Sequence, residues 1–250
     1  MAKESGRRQV QILDIEDERV KRGRNELLQL NIVLNAIDES RFILYFQNIV
    51  HLQGQGGAGK QYEILVRMNA ENDEILCSDE FMPLIEQYHL SSNLDKWVMR
   101  DATDMLTQNL QELEKLDLCL IKLSTASLKN ESFRLFALDL VKENPLLGQK
   151  LCFEISETAV KSDIGVATGF INELKKYHVR FALDDFGAGH SSLEKLDSLP
   201  VDYIKIDGAY VNEMLNNPCD MATVKSIAKL GCTTAKALCV NLVPYTPCLG

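Results

Sequence analysis

The chain has 250 residues, 46% of them apolar, enough for one large domain with a sizeable core and about what a single α/β barrel requires. A formal net charge of −9 argues against a non-specific nucleic-acid surface, although local cations or metal ions could still draw in a phosphorylated ligand. Seven cysteines without a CxxC argue against structural zinc or a disulfide framework and for reduced thiols in a cytoplasmic protein, and neither a signal peptide nor an apolar membrane span is visible.

In chain order, residues 1–22 are charged and weakly patterned, as expected of a linker from an upstream domain. Residues 25–39 read as an amphipathic lead-in helix, and "RFILYFQNIV" (41–50) as a strand. "GQGGAGK" (54–60) lacks the GK[ST] ending of a phosphate loop and reads as a hairpin connection to the strand "QYEILVRM" (61–68). A helical region follows over 79–113, with Leu94, Trp97, Val98, Met105 and Leu106 on one face. Strands are then expected at 118–124, 150–156, 179–186 and 202–207, alternating with helices at 131–144, 162–177, 191–198 and 220–230. Ala167, Phe170, Ile171 and Leu174 form the buried stripe of the 162–177 helix.

Near-continuous apolar strands alternating with helices indicate a parallel sheet with both faces covered. Charged residues recur along or at the ends of these strands: Glu63, Arg67, Lys122, Glu154, Asp184, Asp185, Lys205 and Asp207. A closed barrel gathers such ends on one face, whereas a doubly wound sheet concentrates its site in one crevice. The even spread favours a barrel. Some of these carboxylates could simply cap the following helix, but Glu63 and Glu154 lie within strands. The adjacent pair Asp184 and Asp185 poses the sharpest question, because neighbouring carboxylates raise each other's pKa and are costly to bury without a cation.

Four ordered segments carry a resemblance. "YEILVR", "FEISE", "LDDFGAGHSSLEKLDSLPVDYIKID" and "DEFMPLIEQYHL" resemble the signatures of EAL domains, bacterial hydrolases of the cyclic di-GMP phosphodiesterase class, over residues 25–231. The resemblance implies a TIM-type (βα)8-like barrel with an antiparallel first strand, spanning residues 23–250. It implies cyclic di-GMP as ligand and hydrolysis to linear pGpG as the family activity, with Mg2+ or Mn2+ in a two-metal site. Glu63, Glu154, Asp184 and Asp185 would hold the ions, with Lys205, Glu63 and Asp184 as the catalytic groups. Gln47, Leu65 and Arg67 would contact the ligand, and Glu157, Gly187 and His190 would support the loop after Asp185. The N-terminal segment resembles the joint of a GGDEF-EAL tandem, so an upstream GGDEF or sensory domain and a homodimer are expected partners in bacterial second-messenger signalling.

Three positions depart from the family pattern. Lys122 stands where the family places a metal-binding asparagine, and an ammonium has no lone pair to offer a metal; it could instead replace a metal charge and contact the ligand phosphate. His190 replaces a tyrosine. Residues 232–250 lack the seventh-strand glutamate and the eighth strand–helix unit, with "AKALCVNLV" expected to supply a seventh strand at best. The expected function is cyclic di-GMP recognition with weak metal-dependent hydrolysis, the alternative being a catalytically inactive cyclic di-GMP receptor.

Overall fold

Strand alternation sends successive side chains to opposite faces of a sheet, and that rule organises the protein. In the computed structural model, which describes residues 34–37, 41–50, 59–70, 74–187, 199–234 and 236–240, the strands form one mixed, curled sheet. They are β1 (Phe42–Asn48), β2 (Lys60–Asn69), β3 (Ile75–Leu76), β4 (Leu116–Leu123), β5 (Leu151–Ser156), β6 (Arg180–Phe186), β7 (Tyr203–Ile206) and β8 (Ala237–Val240). The order is β1-β2-β4-β5-β6-β7-β8, with β3 a short hairpin arm on β2. β1 is antiparallel to β2, and every pair from β2–β4 through β7–β8 is parallel.

All six strands expected between residues 41 and 207 are present, and the tail contributes a seventh barrel strand through Ala237–Val240. The 25–39 helix is described only at residues 34–37, which are helical, and the 191–198 helix lies outside the described residues. The region expected to be helical over 79–113 divides into α1 (Ser78–Gln87), α2 (Ser91–Gln108) and α3 (Leu110–Lys115). The first break falls at His89, whose φ of 58° leaves the right-handed helical region, and the second at Asn109, whose side chain accepts a hydrogen bond from the Glu112 amide. After β4 come α4 (Thr125–Leu128), α5 (Glu131–Glu143) and α6 (Pro145–Gly148). The helix expected over 162–177 is α8 (Ile164–Lys175), capped by Asp163, and a short helix that was not expected, α7 (Glu157–Ser162), capped by Ser156, precedes it. The helices α9 (Gly208–Glu213) and α10 (Pro218–Thr233) close the order before β8.

Two apolar layers lie on opposite faces of the sheet. Cys119, Ile121 and Leu123 of β4, with Phe153 and Ile155 of β5 and Phe181 and Leu183 of β6, pack outward against the helices. The expected stripe Ala167, Phe170, Ile171 and Leu174 meets them there, fully buried. Met105 departs from expectation: it is substantially exposed, while Met99 and Ala102 complete the buried face of α2. On the inner face, Leu118, Leu120, Cys152 and Ala182 form a small cluster with Ile49 and Tyr203. The curl of the sheet turns this face inward, so the barrel interior is a packed layer and not a channel.

Cys119 and Cys152 are buried free thiols, as expected, and Cys219, Cys232 and Cys239 are also free. Cys77 departs from the reduced-thiol expectation, being disulfide-bonded. No helix among the described residues is long and apolar enough to cross a membrane.

The turn that ends β4 is held by a group the motifs did not mark. Asp95 of α2 is buried; its carboxylate accepts the Ser124 amide at 2.8 Å and the Ser127 hydroxyl at 2.6 Å. Burial raises the Asp95 pKa, and these hydrogen bonds oppose the rise. Removing the carboxylate would take the acceptor from the Ser124 amide and leave the Ser127 hydroxyl to donate only to Ser92 Oγ at 3.1 Å, so Asp95→Ala should destabilise the protein by about 1–3 kcal/mol. Each kcal/mol corresponds to roughly 2–4 °C in a domain of this size. A thermal melt checks this, and a transition that coincides with the parent's would refute the role.

Candidate functional site

The inner face changes character toward the C-terminal ends of the parallel strands. Continuing the alternation past Leu120, Cys152 and Ala182 brings Lys122, Glu154 and Asp184 to the same face, and β7 adds Lys205. Glu63, Leu65 and Arg67 of β2 alternate with Ile64, Val66 and Met68, which belong to the outer layer, and so share the inner face. Directly opposite them in the antiparallel pairing are Gln47 for Glu63, Tyr45 for Leu65 and Ile43 for Arg67.

Lys205 is the centre of this polar layer. Its side chain is 0% exposed, and its Nζ lies 2.7 Å from Glu154 Oε1, 3.1 Å from Glu63 Oε2 and 3.7 Å from Asp184 Oδ1. One ammonium therefore ties β7 to β5, β2 and β6. Burial opposes its charge, but Glu154, Glu63 and Asp184 outweigh burial and hold the pKa above the ordinary lysine value. Glu154 is raised as well: burial raises it, the lysine opposes, and the neighbouring Glu63 and Asp184 charges add to the rise. Lys205 keeps its proton, and Glu154 takes one at a higher pH than an ordinary glutamate. Glu154 is also fully buried; its Oε1 faces the Lys205 ammonium, whereas its Oε2 makes no hydrogen bond among the described residues.

The second cation is Lys122. Its Nζ lies 2.9 Å from Asp184 Oδ2 and 3.4 Å from Asp185 Oδ2. Burial disfavours its charge, but Asp184, Asp185 and Glu154 prevail, raising the pKa to about 12. Asp184 is lowered, because the two lysines overcome the effect of its burial. Plain alternation would send Asp184 and Asp185 to opposite faces. Instead, the β6–β7 register shifts between Leu183 and Phe186, and Asp185 adopts a φ of 54°. The left-handed conformation at a non-glycine residue is strained, and here it brings the second carboxylate back toward the lysine of the first. The adjacent aspartates are thus balanced here by the ammonium of Lys122.

The donor set was expected to hold two divalent ions. Among the described residues, no three Asp, Glu, His or Cys side chains converge to hold one, because an ammonium lies between the carboxylates at each meeting point. Glu154 Oε2, which makes no hydrogen bond among the described residues, leaves acceptor capacity at the deep end, beside Lys205. At the outer end, Lys122 stands between Asp184 and Asp185, so two ions do not fit this arrangement.

Toward the rim, the Arg67 guanidinium lies 5.7 Å from the Tyr45 ring centroid, and its Nη1 donates to the Val66 carbonyl at 2.9 Å. Glu157 is buried but pairs with Lys161 on its own helix at 2.5 Å. The loop it was expected to support, including His190, lies outside the described residues. Gly187 has a φ of 101°, and its carbonyl accepts the Tyr210 hydroxyl at 2.6 Å. Tyr210 is a support that sequence reasoning missed; its only signal was its place two residues after Gly208 in "KIDGAYV". Cys239, also missed, pairs in register with Lys205 on the seventh strand, where the family pattern has a glutamate nearby. Asp207 proves to be the simple helix cap, accepting the Ala209 amide at 2.9 Å.

The burial of Lys205 changes what its substitution tests. A lysine at a solvated strand end could be replaced with folding intact; one at 0% exposure cannot. Lys205→Met should cost about 3–5 kcal/mol near neutral pH, because buried carboxylates lose their cation. Without the lysine, the folded-state pKa of Glu154 rises further above its unfolded value. The neutral acid then fits the fold better, so stability falls as pH rises through the unfolded value toward the folded one. Urea denaturation at acidic and mildly alkaline pH should show the larger deficit at the higher pH; equal deficits would contradict this assignment.

Comparison with known proteins adds the family context. The EAL domain profile matches residues 30–243, further toward the C-terminus than the resemblance read to residue 231. The chain is 34% identical over 229 residues to the cyclic di-GMP phosphodiesterase PdeB of Shewanella oneidensis, covering 90% of this chain and 26% of that protein. It is 29% identical over 218 residues to the cyclic di-GMP phosphodiesterase PdeA of Borreliella burgdorferi, covering 86% and 31%. The chain therefore spans about a quarter to a third of the length of these relatives. The EAL domain of FimX from Pseudomonas aeruginosa, solved with cyclic di-GMP bound, superposes with a TM-score of 0.77 at 25% identity, covering 88% of each chain.

Proposed function

The chain belongs to the EAL domain family, and from that premise we propose that it is a cyclic di-GMP-binding domain, acting chiefly as a receptor, with hydrolysis to linear pGpG at most weak. The observation that carries the binding reading is the line of Gln47, Leu65 and Arg67 on the two paired strands at the rim, on the same sheet face as the partly exposed ammonium of Lys122 on the neighbouring strand β4. A cyclic dinucleotide offers two phosphate anions and two flat guanine faces. Arg67 supplies a forked donor for a phosphate oxygen, and Leu65 an apolar surface for a base. Tyr45 beneath the guanidinium limits the freedom that Arg67 would lose on binding.

The phosphodiesterase reading rests on a different observation, the contact of Lys205 with Glu63, Glu154 and Asp184. In that reaction water adds at phosphorus, the bond to the 3′ oxygen breaks, and the proton from water ends on the leaving oxygen. The buried ammonium of Lys205 would offset charge gathering on the phosphoryl group, and Glu63 and Asp184 would orient the water. A Mg2+ or Mn2+ ion would supply a water of lowered pKa, but the outer end of the cluster is closed to it by Lys122. That closure favours the receptor. An upstream GGDEF or sensory domain, linked through residues 1–22, and a homodimer belong to the same proposal.

Titration calorimetry with cyclic di-GMP tests the reading. The parent chain should bind, and Arg67→Ala should weaken affinity by about 10–100-fold, the range expected on losing a charge-assisted hydrogen bond. Chromatography of the nucleotide after incubation with Mg2+ or Mn2+ should find little pGpG. No binding up to millimolar ligand would sink the proposal, and rapid turnover would replace the receptor by the enzyme.

A further inference from the structure

Building on the cyclic di-GMP reading, we infer that Lys122 is a resident cation that replaces one of the two divalent ions implied by the family pattern, so that this site can never hold the pair. Its Nζ reaches carboxylate oxygens of both adjacent aspartates, at 2.9 Å for Asp184 and 3.4 Å for Asp185. An ion bound between those two carboxylates would need the same oxygens. Lysine cannot ligate it, and its charge repels it at contact distance. The backbone is also arranged around this contact. The β6–β7 register shift and the left-handed Asp185 deliver both carboxylates to one ammonium, although that conformation costs energy at a non-glycine residue.

Lys122 does more than neutralise. Its side chain is 54% exposed, whereas that of Lys205 is 0% exposed. The strand ends therefore carry a deep cation, enclosed by three carboxylates, and an outer cation open on one side to solvent. The outer one lies on the same face of the sheet as Arg67, so the ammonium can donate to a ligand phosphate while it holds the aspartates. The deep end, where of the Glu154 oxygens only Oε2 is left without a hydrogen bond among the described residues, retains room for at most one ion.

The experiment counts ions and ligand separately on the whole chain. Mn2+ alone is titrated into the parent, Lys122→Asn and Lys122→Arg, with bound ion read by electron paramagnetic resonance. The parent and the arginine variant should bind no more than one Mn2+ per chain, and the asparagine variant one more than the parent. Equal ion counts in the parent and Lys122→Asn, or two ions in the parent, would overturn the inference. In the second arm, cyclic di-GMP is titrated in the presence of EDTA. Lys122→Asn should bind about tenfold more weakly than the parent, the loss of one charged contact, with Lys122→Arg close to the parent. Unchanged affinity in Lys122→Asn would overturn the phosphate contact. A parent that binds no cyclic di-GMP but whose asparagine variant gains an ion would sustain the resident cation and sink the ligand reading instead, so the two failures are distinct.

Discussion

The buried ammonium of Lys205 is the constraint around which the site is arranged. A lysine with no exposed surface must find its counter-charges inside the protein, and Glu154, Glu63 and Asp184 provide them from three other strands. Such a cluster contributes little net stability, since desolvation consumes most of the Coulomb gain. Its effect is selective. A one-residue slip of β5, β6 or β7 would turn a charged side chain into the outer apolar layer, so only one register satisfies all four groups. The polar layer and the apolar layer of Leu118, Leu120, Cys152 and Ala182 beneath it specify the same alignment.

The two lysines divide the electrostatic work by depth. At the bottom, burial raises the Glu154 acid and opposes the charge of Lys205, and it is the surrounding carboxylates that keep the lysine protonated. At the top, Lys122 remains open to solvent and keeps Asp184 ionised. A family pattern built on hard oxygen donors for metal ions is here rebuilt around fixed ammonium charges. A fixed charge binds an anion without waiting for an ion to load, but it cannot lower the pKa of a water as a dication does.

The sheet path β1-β2-β4-β5-β6-β7-β8 places these groups side by side in space. Ala237–Val240 extends the ladder beyond β7, and its Cys239, not an acid, pairs with Lys205. A thiol raised in pKa by burial adds no negative charge there, so the lysine depends on the three carboxylates from β2, β5 and β6. The supports below are equally indirect. Asp95 on α2 secures the turn after β4, two residues beyond Lys122, and Tyr210 on α9 secures Gly187, two residues beyond Asp185.

Much of this was legible in the residues themselves. The strands themselves, the buried stripe of α8, and the motif residues on β2, β5, β6 and β7 follow from local alternation and from short segments that can be read without knowing what lies opposite. The departure at Lys122 was legible too, because it sits inside such a segment. Which carboxylates each lysine would meet was not, since that depends on register between residues about 20 to 140 positions apart in the chain and on one bulge between Leu183 and Phe186. Likewise, no pattern separates the exposed Met105 from the buried Met99 on the same helix, nor marks Asp95 as an anchor, until α2 is laid against β4 and α4. Local sequence determined what each strand carries and toward which face; only the tertiary structure decided which charges are partners, because partnership is a distance between segments that local chemistry does not encode.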